Sequence, residues 1–127
     1  MQLPSKAERY DNMKYIEGFV IAVPAANKQA YIEQATAFAA MFREYGATRF
    51  VECWADDLPP GTLTDFRMAV KAETEETVVS FWVEYPSKDI RDAANAQITS
   101  DPRVLNAPTL FDTKRMIFGG FAPIVDL

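Results

Sequence analysis

Two glutamates set among aromatic side chains, Glu17 in YIEGF and Glu52 in FVECW, are the residues of this 127-residue chain best suited to chemistry. A carboxylate on an apolar sheet face loses hydration. Its pKa then rises, and it becomes a general acid or base near neutral pH. Both lie in β-rich runs, so their neighbours follow from the two-residue period of a strand. In 49–55, Phe50, Glu52 and Trp54 share one face, and Val51, Cys53 and Ala55 the other. In 14–23, Tyr15, Glu17, Phe19 and Ile21 oppose Ile16, Gly18, Val20 and Ala22. In 77–85, Ser80, Trp82 and Glu84 oppose Val79, Phe81, Val83 and Tyr85. Joining the three glutamate-bearing sides gives one face with Glu17 and Glu52 as catalytic candidates. Trp54, Trp82, Phe19 and Tyr15 become flat walls for an aromatic or lipid-like ligand.

Each candidate has a competing structural reading. Glutamates near strand ends reach solvent or pair with Arg115, Arg49 or Arg67, and Glu84, nearest an end, is read as such a partner. Cys53, the single cysteine, shares its side with Val51 and Ala55. It is expected as a buried, inert group under the helices, with no CxxC partner and no histidine to activate it. Gly119-Gly120 precedes no helix, so it marks a bulge or a close backbone approach in a strand rather than a phosphate loop. Asp56-Asp57 reads as a solvated turn, and Arg91 and Asn95 as an exposed helix face.

Composition narrows the chemistry further. The chain has no histidine, which removes Ser-His-Asp and Cys-His nucleophiles, histidine-ligated haem and histidine-containing zinc and iron sites. One cysteine excludes an intrachain disulfide and an all-thiolate metal site. Neither GxGxxG nor a P-loop occurs, and no cofactor or metal is expected. A net charge of −5 with scattered basic residues argues against a nucleic-acid partner. No apolar run approaches the roughly 20 residues of a membrane span. The polar residues 1–12 lack the apolar core of a signal peptide. They are expected as a poorly ordered or added extension before a natural start at Met13, and 13–127 as a single cytoplasmic domain.

The elements that must position these residues follow from periodicity and punctuation. A first strand over 14–23 stops at Pro24. Asn27 offers an N-cap and Gly46 a stop to a helix whose buried stripe is Tyr31, Ala35, Phe38, Phe42 and Tyr45. That stripe reads as core rather than as a ligand box. A second strand spans 49–55, and Pro59-Pro60-Gly61 turns the following loop. Residues 66–72 are expected as a short strand or an extension of a neighbour. A strong strand over 77–85 ends at Pro86, and Ser87 caps a helix buried through Ile90, Ala94 and Ile98, ended by Asp101-Pro102. Residues 102–113 are irregular or briefly helical, and 114–125 is the last strand. The order β-α-β-β-α-β is two split βαβ units, an α+β ferredoxin-like sheet with both helices on one face. The bare face needs a cover, and a second copy of the chain packed across a two-fold axis would supply it.

EGFVIAVP, VECWADDLPPG, AVKA with ETVVSFWVEYPS, DPR at 101–103 and KRMIFGGF together resemble the YbaA-like bacterial family, over about Met13 to Val125. The resemblance implies a ferredoxin-like protomer whose two sheets form a dimeric α/β barrel, and it implies no reaction. The wider superfamily holds cofactor-free monooxygenases, haem-degrading enzymes, muconolactone isomerases and pure ligand binders. Its histidine-dependent haem members are a poor model for a chain without histidine. Some relatives carry a label linking them to signal recognition particle RNA, which the acidic composition does not support. Two functions remain open: a barrel-cavity site with cofactor-independent activity on an aromatic or enolisable molecule, or a non-catalytic ligand-binding or protein-interaction module. RNA binding would need a basic stripe that is not visible.

Overall fold

The computed structural model describes residues 13–127, so the extension expected over 1–12 lies outside the described residues. Four strands form one antiparallel sheet: β1 (Tyr15–Pro24), β2 (Arg49–Trp54), β3 (Glu76–Tyr85) and β4 (Ile117–Phe121), in the order β2-β3-β1-β4. Two long helices connect them, α1 (Lys28–Glu44) between β1 and β2, and α3 (Lys88–Ile98) after β3. Two single-turn helices, α2 (Phe66–Ala69) and α4 (Pro102–Leu105), complete the order. This is the ferredoxin-like α+β arrangement expected from the element order.

Local chemistry sets the boundaries. Gly46 has φ of 110° and ends α1, and a Cβ there would meet Ile90 Cγ2 at 2.6 Å. Ser87 caps α3 by accepting from the amide of Ile90 at 3.2 Å. Asn27 precedes α1 without capping it through its side chain. Its amide donates instead to the carbonyl of Leu110 at 3.1 Å and ties the helix start to a distant segment. Residues 66–72 are not a strand. Asp65 accepts from Met68 N at 2.7 Å and nucleates the α2 turn, and Lys71 then takes a left-handed φ of 51° that a strand cannot hold. The last strand is shorter than 114–125, because Thr113–Arg115 forms a 3-10 turn capped by Asp112.

The register decides which residues share a side. Glu17 lies opposite Val83, Phe19 opposite Phe81, Glu52 opposite Phe81, and Trp54 opposite Val79. This side faces the helices, where Met41, Val83, Tyr85, Ala94 and Ile98 form one core and Ile21, Val23, Tyr31 and Val79 another. Phe42 of α1 meets Phe50 edge-on at 5.3 Å, and Phe19 stacks on Phe81 at 4.2 Å. The other side carries Gly18, Val20, Val51, Cys53, Ser80, Trp82, Ile117, Gly119 and Phe121; neither long helix lies over it, and only its Ala22–Val78 end is covered, by Val70 at the close of α2.

The expected faces are therefore corrected in two respects. Glu17, Glu52, Trp54, Phe19 and Tyr15 lie under the helices, not on the bare face. In β2 the large Phe50 and Trp54 pack toward α1, while the smaller Val51 and Cys53 sit on the opposite side. Cys53 is accordingly exposed rather than buried. Trp82 and Glu84 do not share a face with Glu52, because Trp82 pairs with Val51 and Gly18.

Candidate functional site

Glu52 is the centre of an arrangement with acid–base character. It projects from edge strand β2 toward α1, where the Tyr31 hydroxyl donates to Oε1 of its carboxylate. Tyr31 stands at the start of the apolar stripe expected of α1, is 6% exposed, and meets Phe111 edge-on at 6.1 Å. No arginine or lysine pairs with Glu52 among the described residues. Burial pushes its pKa up to about 7, and the Tyr31 hydrogen bond only partly opposes that rise. Burial also raises the Tyr31 pKa strongly, helped by the adjacent Glu52 charge, so the phenol stays a neutral donor.

A cavity of about 340 Å³ opens beside this pair, between α1 and the outer edge of β2. Trp54, Phe50, Val79, Ile32, Ala35 and Ala39 give it apolar walls, and Lys28, Thr36 and Cys53 also border it. The Lys28 ammonium sits 5.2 Å above the centre of the Trp54 ring. A smaller recess of about 80 Å³ continues toward the core among Phe19, Phe38, Phe81 and Phe111, with Tyr31 and Glu52 common to both. This cavity lies on the helix side and is walled within one protomer; a separate apolar groove lies on the bare sheet face.

Glu17 belongs to a different cluster. It is 2% exposed and forms an ion pair with Arg91 of α3, which the sequence placed on an exposed face. Arg91 also lies 5.1 Å from the centre of the Tyr15 ring and donates to Asp92 at 2.8 Å. Gly120 makes room for this packing, since a Cβ there would lie 2.5 Å from Arg91 Nη2 and from Tyr15. Its strand runs in continuous register, so Gly119-Gly120 marks a close approach and not a bulge. The Tyr85 hydroxyl is buried without a hydrogen-bond partner, and its pKa is pushed up to about 12 by burial and then by Glu17. This cluster is packed shut and salt-bridged, which is the structural role weighed for Glu17.

The other expected site residues separate accordingly. Glu52 and Trp54 share the cavity, and Phe19 lines the inner recess and the bare-face groove but not the cavity itself. Tyr15 packs on Arg91, and Trp82 lies across the sheet, its indole donating to Glu84 at 3.1 Å. Glu84 pairs with Lys14 at 3.2 Å and faces Arg49, so it is a structural partner as expected. Arg115 binds Glu76 through two bonds of 2.6 and 2.7 Å rather than any candidate glutamate. Tyr31 and Lys28 were not legible as site residues. The nearest signal was Tyr31's place as the first polar-tipped member of an otherwise aliphatic and phenylalanine stripe.

A four-stranded sheet with both long helices on one face, and an acid–base pair under the first helix, defines a ferredoxin-like α+β protein. The chain belongs to the family described as protein of unknown function (DUF1428), which matches residues 14–118. It is 59% identical over 116 residues to the uncharacterized protein YbaA of Escherichia coli strain K12, covering 90% of this chain and 99% of that protein. The Shigella flexneri protein of that name matches equally. Among solved structures, a dimeric ferredoxin-like protein from an uncultured marine organism matches with a TM-score of 0.57 at 12% identity, covering 90% of this chain and 99% of its own. A putative antibiotic biosynthesis monooxygenase from Bacillus cereus gives 0.53 at 10% identity, covering 91% and 97%. SnoaB, a cofactor-independent oxygenase from Streptomyces nogalater, gives 0.54 at 16%, covering 90% and 96%. At these identities the likeness is one of fold.

Among the described residues no helix is long and apolar enough to cross a membrane. No group of three or more carboxylates and thiols is placed among them to hold a metal ion.

Proposed function

We propose that this protein is a small acid–base enzyme that removes a proton from an aromatic or enolisable molecule bound beside Trp54. The observation that carries this reading is the Glu52 carboxyl at a cavity wall, without a cation partner among the described residues and with a pKa raised by burial to about 7. Ionised Glu52 takes the proton as the C–H bond breaks, and the electron pair moves into the carbonyl as an enolate. The neutral Tyr31 hydroxyl, donating to Glu52, holds the carboxylate in one orientation. Return of the proton at another carbon gives an isomerase. With dioxygen as co-reactant, an aryl CH₂ goes to a ketone and the second oxygen atom leaves as water. Two fold neighbours titled as oxygenases or monooxygenases are compatible with that second course.

Proton exchange tests the step common to both courses. The protein is expected to accelerate deuterium uptake at C1 of 2-tetralone in D₂O, followed by NMR, and Glu52→Gln to abolish that acceleration. Acceleration that survives the substitution removes Glu52 as the base. Binding of the ketone without exchange would identify a ligand-binding module instead.

The functional unit of this proposal is a homodimer. The bare sheet face exposes Ile117 and Phe121 by 46% and 62%, and a groove of about 320 Å³ runs there past Gly18, Val20 and Trp82. One structural neighbour is itself titled dimeric. Sedimentation at micromolar concentration should give twice the chain mass of 14.3 kDa. Cys53 lies on the same face, so its labelling by a thiol reagent is expected to be fast in dilute protomer and slower as concentration rises. A labelling rate independent of concentration, together with a monomer mass, would leave that face uncovered. The Glu52 cavity would stand either way, because one protomer supplies all of its walls.

A further inference from the structure

We infer that the cavity beside Glu52 takes an aromatic acid, whose ring lies against Trp54 and whose carboxylate is held by Lys28. This rests on the reading of that cavity as a ligand site and adds the charge of the ligand.

Lys28 differs from the paired arginines, and from surface cations such as Lys71 and Lys114 that are unpaired among the described residues, in standing at a cavity wall. Arg91, Arg103 and Arg115 are each held by carboxylates, Arg91 by Glu17, Arg103 by Asp101 and Glu44, and Arg115 by Glu76 and Asp112. Lys28 has no carboxylate within ion-pair distance among the described residues, yet it borders an apolar cavity and leans over an indole ring. Among the described residues it is the only cationic side chain lining the cavity. The first turn of the 17-residue α1 also carries no acidic residue, so nothing there offsets the positive end of the helix dipole. Lys28, Tyr31 and Ile32 bring that turn to the cavity wall.

The shape fits the same ligand. About 340 Å³ lies at the small end of ligand pockets, room for one or two fused rings. The 5.2 Å between the ammonium and the indole centre leaves no room for a ring between them, so a ring against the cavity's apolar wall lies beside Lys28 and presents its carboxylate to the ammonium from the side, in the cavity that Glu52 also lines. A second negative charge in a half-buried site would be unfavourable if Glu52 stayed ionised. The Lys28 ammonium offsets that second charge, so Glu52 can stay ionised as the base while the anion is bound, with Tyr31 as the other polar group at the wall.

Calorimetric titration of the full chain with 1-naphthoate and with the neutral 1-naphthamide tests the inference. Naphthoate is expected to bind about tenfold more tightly than the amide, the gain of one partly screened charge contact. Lys28→Met should erase that preference without changing the affinity for the amide, and Lys28→Arg should keep most of it. The preference should also shrink as salt is raised. Equal affinities in the parent protein, or a preference that survives Lys28→Met, overturn the inference while leaving the cavity as a neutral-ligand site. Failure of both compounds to bind overturns the cavity reading and this inference with it. Because Lys28 is exposed on the first turn of α1, thermal melts of the variants should match the parent.

Discussion

Glu52→Gln should stabilise the protein at pH 8 by about 2 kcal/mol and change it little at pH 4. The sign follows from linkage. The folded-state pKa of Glu52 is raised to about 7 by burial, above the ordinary value of 4.5. Between those values the unfolded chain has released the proton and the folded chain still holds it. The stability that protonated Glu52 contributes is therefore complete below about pH 4.5 and is lost as pH rises through about 7. A full shift of this size corresponds to about 3 kcal/mol, reduced here because the carboxyl stays partly wet at the cavity wall. Glutamine keeps the acceptor for Tyr31 and removes the charge. Urea melts at both pH values, at matched protomer concentration, check this. Marked destabilisation at pH 8 would instead mean that the carboxylate has a charged partner.

Arg91→Met should have the opposite and larger effect, a loss of about 3–5 kcal/mol at pH 7. Removing the guanidinium strands a Glu17 carboxylate whose side chain is 3% exposed. Within the same cluster it also takes the cation from the Tyr15 ring. Adding Glu17→Gln to Arg91→Met should recover most of the loss, because no uncompensated charge is then left buried. Gly120→Ala should reproduce part of the damage by pushing Arg91 and Tyr15 aside. Chemical denaturation of the parent, of Arg91→Met and Glu17→Gln singly, and of the double variant gives the coupling energy directly. If the double variant is no more stable than Arg91→Met alone, the cluster matters through packing rather than through its charge pair.

The number, type and order of the main elements were readable from the sequence because punctuation and period agreed. Pro24, Gly46, Pro86 and Ser87 each act within a turn of their own position, and each sits at the boundary it announces. Alternation within each strand was equally local and held. What failed was the joining of strands and the choice of face, since both depend on partners distant in the chain. Whether Glu52 sits opposite Phe81 or one residue away is fixed by the β2–β3 register, and a shift of one residue exchanges the faces. The rule that small groups go under helices also misled, because α1 brings Phe38 and Phe42 to meet Phe50 and leaves Cys53 outside. The candidate site was half legible. Glu52 and Trp54 are neighbours in one strand, but Tyr31 and Lys28 come from a helix more than twenty residues earlier. Arg91 read as solvent-facing because nothing near it in sequence needs a cation; its partner Glu17 lies 74 residues away.

The strand order β2-β3-β1-β4 also governs how the chain emerges during synthesis. β1 is made first, yet both of its neighbours in the sheet, β3 and β4, are made after a delay. Roughly fifty residues separate the end of β1 from the start of β3, which is about 3–10 s of translation. Through that interval VIAV of β1 has no strand to pair with, and the nascent chain can shelter it only against α1, the next segment to appear. β4 pairs with β1 through Ile117–Phe121 and is the last strand of the sheet to be made, so one edge of β1 waits longest for its partner. Chaperone occupancy of nascent chains should be greatest while β1 waits.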